Sequence, residues 1–300
     1  IQFVNNDPSN AEGWSQLSQI FILEKNDQEA EKALAKAQSL NNKLPSVHRN
    51  KARLALRRPD PIEALKWAWS ANEIISHSIN HSLENWIVLA TCLGANNQNE
   101  EAFTFVEKAL KIKKNYAEAY ATRSIIKLNT GDVTGSINDA EIAISVKPHL
   151  AHIWGLLGKL YYKQQRQIDG IDALKNAQRI EPGNLNFITD FANLLQKQGR
   201  FIEARAVFGK ALIISPFNAN TWKNIGIAFQ HEKLFSSAKD VYKKSLIIDP
   251  QLLDSLNNLS IIARDDQEQQ SALKTVQKSL IIDQSSVGLL VTSSVLMSVN

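Results

Sequence analysis

One unit recurs along this chain at a spacing of about 34 residues, and that period limits the fold more than any other feature. Trp14, Trp86, Trp154 and Trp222 each open a helical pattern, with an apolar residue three places on (Leu17, Leu89, Leu157, Ile225) and a small one next (Ser18, Ala90, Gly158, Gly226). A second helical stretch follows, with Ala30, Ala64, Ala102, Ala204, Ala238 and Ala272 in one column and Ala37, Ala71, Ala109, Ala143, Ala177 and Ala211 in another. Pro148, Pro182, Pro216 and Pro250 then stop it. A period of this length holds two short helices and two turns, a unit that buries its apolar face only by stacking on its neighbours. The small residues mark close helix approaches and the large ones fill the space between, so the columns are packing rather than chemistry.

Units begin near Ala11, Pro45, Leu83, Ala117, Ala151, Leu185, Ala219 and Leu253; only the step from Pro45 to Leu83 is longer, with the extra length within Ser76 to Ser82. Twelve Gly and eight Pro in 300 residues are too few for a many-turned all-β chain and fit helices with occasional punctuation. With 44% hydrophobic and 21% charged residues, the chain has the means to bury a core.

The segments WKNIGIAF from Trp222 and WGLLGKLY from Trp154 carry a resemblance to the tetratricopeptide repeat family, whose first helix follows W-x2-L-G-x2-Y. The resemblance covers about eight repeats and part-repeats at both ends. It implies an all-α, right-handed superhelical solenoid of antiparallel helix pairs. Residues 1–10 are expected to end a preceding repeat, 11–286 to form eight repeats, and 287–300 to supply the first helix of a further repeat or cap. Pro45 to Ser78 departs most from the pattern, with His48 in the Trp column and Lys51 in the Leu column. The stretch DPIE, Asp60 to Glu63, offers an N-cap, a Pro at the first helical place and a Glu at the third. Ile1 to Pro8 reads as the last turn of a helix and Val287 to Asn300 as a helix without its partner, so a segment of a longer array is expected, self-associating through uncovered ends.

Several function classes find no support. One cysteine, Cys92, excludes an intramolecular disulfide and a thiolate zinc cluster. No apolar run approaches the roughly 18 residues of a membrane span and no leader opens the chain, so a cytoplasmic location is expected. The G-x-G-x-x-G, G-x-x-x-x-G-K-[ST] and H-E-x-x-H patterns do not occur, and no Ser or Cys has a nucleophile's surroundings, so neither catalysis nor a cofactor is expected. His77 with His81, and His149 with His152, share helical spacing but have no acidic or Cys ligand at motif distance. Trp67 and Trp69 have two readings, an aromatic binding site or packing against the segment Ser76 to Ser82. A net charge of +4 is modest, and nucleic-acid binding would need basic residues and stacking aromatics along the groove.

A helical solenoid offers an extended concave surface lined by the first helix of each repeat. The family resemblance implies that its second, fifth, sixth, ninth, twelfth and thirteenth residues face that groove. In the second repeat these include Arg49, Arg53 and Arg57, one basic stripe, with Asn50 beside them. Like charges four apart destabilise a helix by about 0.2–0.5 kcal/mol per pair, so the stripe has either an acidic or phosphorylated ligand, acids elsewhere in the chain, or only solvent. In the third and fourth repeats, Ile87, Val88, Ile125 and Leu128 form an apolar run, read as a docking site or as packing across a tight curve. Farther on the groove turns polar at Asn186, Asn193, Asn220, Lys223, Asn224, Asn257 and Asn258, and the amides among these suit the main chain of an extended peptide.

Two precedents of the family are only partly met. Lys223 and Asn258 match its carboxylate clamp, whereas Ile227 and Gly288 do not; Asn50, Asn224 and Asn258 fit an asparagine ladder that Gln16, Val88, Thr122, Leu156 and Asp190 interrupt. The expected function is a non-catalytic scaffold that binds a protein or peptide, with the substrate-recognition arm of a larger glycosyltransferase, sulfotransferase or hydroxylase as the alternative. The expected ligand places an acidic part on the Arg stripe, apolar anchors in the middle and its backbone past Asn224 and Asn258.

Overall fold

The computed structural model describes residues 7–74 and 79–265. Ala272, His77 and Val287 to Asn300 lie outside them. The described elements are all α-helices, joined in hairpins by short turns, with no strand among the described residues. The chain divides into two compact units, Ile1–Ile153 and Trp154–Asn300, each described by itself.

The first unit contains α1 (Ala11–Leu23), α2 (Asp27–Leu40), α3 (Pro45–Arg57), α4 (Pro61–Glu73), α5 (Ile79–Ala95), α6 (Asn99–Ile112), α7 (Ala117–Asn129) and α8 (Val133–Val146). Helix α9 (Ala151–Lys163) holds the boundary. The second unit continues with α10 (Gln167–Ile180), α11 (Leu185–Lys197), α12 (Phe201–Ile214), α13 (Ala219–His231), α14 (Phe235–Ile248) and α15 (Leu253–Asp265). First helices of neighbouring repeats touch in sequence, α1 on α3, α3 on α5 and α5 on α7 in the first unit, α11 on α13 and α13 on α15 in the second. That row positions the candidate site.

Local chemistry sets these boundaries. Asn10, Asn26, Asp60, Asp132 and Asn218 each cap a helix by accepting from a backbone N–H of its first turn. The structure places Pro61 directly after the Asp60 cap, and Glu63 donates its N–H to Asp60 Oδ1 at 3.0 Å. Helix α5 begins at Ile79 rather than Leu83, so residues 79–82 of the longer step add a turn to that helix.

The alanine columns are the most enclosed part of the core. Ala30, Ala64, Ala102, Ala204 and Ala238 are fully buried, as are Ala37, Ala109, Ala143 and Ala177. A side chain has no room at Gly226 either, because a Cβ there would lie 2.5 Å from the ring of fully buried Tyr242. His48 replaces the tryptophan of its column by bonding, through Nε2, to the Asn42 carbonyl at 2.8 Å and, through Nδ1, to Ser70 at 2.9 Å. Trp67 packs 5.4 Å from the His48 ring with Lys51 Nζ 4.0 Å over its own, while Trp69 sets its edge against Phe105. Both tryptophans thus have packing partners, and these lie on α3 and α6.

Candidate functional site

The three arginines of α3 share a face but differ in their partners. Arg49 is 4% exposed; it donates to Asn85 Oδ1 at 2.8 Å and pairs with Glu84 at 2.9 Å. Arg57 donates to the Ile22 carbonyl at 2.9 Å and pairs with Asp27 at 3.0 Å. Arg53, half-buried between them, donates only to Asn50 Oδ1 at 2.9 Å, and no carboxylate among the described residues is within ion-pairing distance. Burial holds its guanidinium below the ordinary arginine range, and the neighbouring Arg49 charge lowers it further. Asn50 itself is buried, its Nδ2 donating to the Ser15 carbonyl at 2.9 Å, so it ties α3 to α1.

The apolar run beside this cation surrounds a cavity of about 320 Å³. Arg53 and Leu56 of α3, Ile87 and Val88 of α5, and Ala121 and Ile125 of α7 form much of its wall. Ile87 and Val88 are buried there, whereas Ile125 is 39% exposed at the opening. Leu128 is half-buried and lies outside the wall. Thr91, Thr122, Glu118, Leu150 and His152 complete the lining; Glu118 and His152 each hold the second, groove-facing place of their repeats, whereas Leu150 lies before α9, outside the groove register. The Glu118 carboxylate accepts from Lys147 at 2.7 Å. Burial pushes Glu118 up, but the bonds from Lys147 and its own backbone bring it, in net, below the usual glutamate range.

The second unit has a groove of another kind. Asn224 Nδ2 donates to Asn193 Oδ1 at 3.0 Å, and the Asn224 carbonyl accepts from Gln196 at 3.1 Å. Lys223 pairs with Asp254 at 2.8 Å. Asn186 and Asn220 are exposed, Asn257 has a buried Oδ1 without a partner, and Asn258 lies beside Tyr242, whose hydroxyl burial pushes up. A cavity of about 300 Å³ opens near Asn193, walled also by Lys159, Tyr162, Lys163, Leu194 and Lys197. Lys159, Tyr162 and Lys163 occupy the ninth, twelfth and thirteenth places of the fifth repeat and Lys197 the thirteenth of the sixth, so the groove register contains them although they are not amides.

Among the described residues no three His, Cys, Asp or Glu side chains are grouped to hold a metal. Cys92 is buried, and burial pushes its thiol up to about 12. No helix among the described residues is long and apolar enough to cross a membrane.

Comparison with known proteins fits this architecture. Sequence profiles of the tetratricopeptide repeat match residues 11–44, 83–116 and 185–215. No curated protein matches the sequence. Among solved structures, YrrB, described as a TPR protein with an unusual peptide-binding site, is 20% identical, with a TM-score of 0.53 over 57% of this chain and 89% of its own. PilF of Pseudomonas aeruginosa is 15% identical, with a TM-score of 0.58 over 74% of this chain and 99% of its own. The Cut9–Hcn1 hetero-tetramer of APC/C supplies a chain 15% identical, with a TM-score of 0.53 over 90% of this chain and 59% of its own. At such identities the likeness is one of fold.

Proposed function

We propose that this chain, a member of the tetratricopeptide repeat family, is a non-catalytic cytoplasmic scaffold that seats a segment of a partner protein in the groove of its first unit. Proteins of the family generally mediate protein–protein interactions. The observation that carries the reading is Arg53, a half-buried cation with no carboxylate of the described residues in ion-pairing distance, set in the wall of a largely apolar cavity. An unpaired buried charge is costly, and a ligand carboxylate relieves that cost through a charge-assisted pair. The segment therefore has an acidic side chain for Arg53 and a neighbouring apolar one for Ile87, Val88 and Ile125. Arg49 and Arg57, bonded to acids of the chain itself, hold the frame rather than the ligand. In the second unit, the Asn224 side chain keeps an acceptor for a peptide main chain. YrrB, a protein of similar fold, has a peptide-binding site, which supports a peptide ligand for this chain.

A photoreactive residue at Ile125, at the mouth of the cavity, tests the proposal. Peptides crosslinked from it should combine an acidic residue with an adjacent apolar one. The same probe at exposed Ile62, outside the cavity wall, should not recover them. Recovery from Ile62 alone would overturn the assignment.

A further inference from the structure

We propose that the second unit has an independent binding site for carboxylates of an acidic protein segment, built by Tyr162 and Lys163 of α9 with Asn193 and Lys197 of α11. These side chains share the cavity of about 300 Å³, and its chemistry is one-sided. Three lysines face one aspartate there, and that aspartate, Asp190, is already engaged by Lys159 at 2.8 Å. Lys163 and Lys197 have no carboxylate partner among the described residues. In place of one, Lys197 Nζ lies 4.8 Å from the centre of the Tyr162 ring. The hydrogen-bonding groups are equally unbalanced. Asn193 Oδ1 is occupied by Asn224, while Asn193 Nδ2, the Tyr162 hydroxyl and two ammonium groups remain as donors.

A pocket rich in donors and poor in acceptors selects a ligand that brings acceptors, and an acidic side chain brings two oxygens and a charge. Tyr162, Leu174 and Leu194 give the rest of the wall an apolar surface, which suits the methylenes of glutamate or an aliphatic neighbour. A cation resting on an aromatic face holds it by a modest attraction, so a carboxylate can draw Lys197 off the ring. Ammonium groups act as point charges without the fork of a guanidinium, which fits a segment recognised by charge density rather than by one fixed pose.

The test uses the full chain with Arg53→Gln, so that the site proposed for the first unit does not contribute. The probe is a fluorescein-labelled peptide of repeated Glu-Leu-Glu-Gly, with glutamine and phosphoserine counterparts. Binding is measured by anisotropy, and acetylation of individual lysines is followed by mass spectrometry. The acidic peptide should slow acetylation of Lys163 and Lys197 about tenfold while exposed Lys243 reacts unchanged, and the double change Lys163→Gln, Lys197→Gln should weaken binding about tenfold. The glutamine peptide should do neither. Equal protection by the glutamine peptide, or undiminished binding to the double variant, would overturn the site. Protection by the phosphoserine peptide at lower concentration than by the acidic one would overturn the choice of carboxylates. Because Arg53 is already changed, each result stands whether or not the first-unit reading survives.

Discussion

The first unit turns several of its groove charges inward, and the second leaves several of its own facing outward. Arg49 bonds to Glu84 and Asn85 and Arg57 to Asp27; off the groove face of the same unit, Arg123 meets Asp139 through Nε and a terminal nitrogen at 2.8 and 2.7 Å with Glu107 close by. In the second unit Lys163 and Lys197 have no acid among the described residues, and Lys159 reaches Asp190 while itself 58% exposed. The difference teaches that a basic residue at a groove position is available to a partner only if no acid of a neighbouring helix reaches it first. Burial decides how much is at stake, because an enclosed pair cannot trade its partner for water.

The largest expected effect breaks that contrast at its buried end. Removing Arg123 leaves Asp139, whose side chain is 3% exposed, with Lys127 at 2.8 Å as its remaining cation. Arg123→Met should cost about 3 kcal/mol, the low end for a broken buried pair because Lys127 remains. Lys159→Met in the second unit should cost less than about 1 kcal/mol, as exposed pairs do. Denaturant unfolding of both variants measures the gap; equal losses would erase the distinction between the units.

A smaller effect sharpens it. Glu118, in the cavity wall, is held below the usual glutamate range by Lys147 and its own backbone against the upward push of burial. A carboxylate depressed in the folded state contributes stability above its unfolded value, about 4.3, and loses it as pH falls through the folded one. The stability difference between the parent chain and Lys147→Met should therefore be constant near neutrality and shrink below about pH 4. A difference that persists unchanged in acid would show that Lys147 acts through packing alone.

Much of the fold was legible because packing repeats. The alanine columns read from spacing are buried wherever they fall among the described residues, and seven of the eight expected first helices begin where the period places them, from Ala11 to Leu253. The departure at α5 follows from extra residues that extend a helix instead of a loop. Turn chemistry was less visible. Lys25, Asn97, Gln165 and Lys233 take φ of +61° to +63°, and Gly131 and Gly199 take +86° and +75° at the corresponding turns, although only glycine announces such a backbone. The partners of the arginines were hidden for another reason. Glu84 and Asp27 lie about one repeat away along the chain from the cations they meet, and whether a flexible carboxylate reaches across depends on side-chain geometry that spacing does not encode. Arg53 could not be told from Arg49 and Arg57 by type or register; what sets it apart is that no carboxylate among the described residues is in ion-pairing distance.

The account stands most directly on Arg53. The segment recovered by crosslinking from Ile125 should be titrated against the parent chain and Arg53→Gln at two salt concentrations. The predicted result is binding weakened about tenfold, with a flatter salt dependence, since one charge-assisted pair with the ligand is lost. Equal affinity and equal salt dependence in the two proteins would contradict the claim that this cation is kept for a partner.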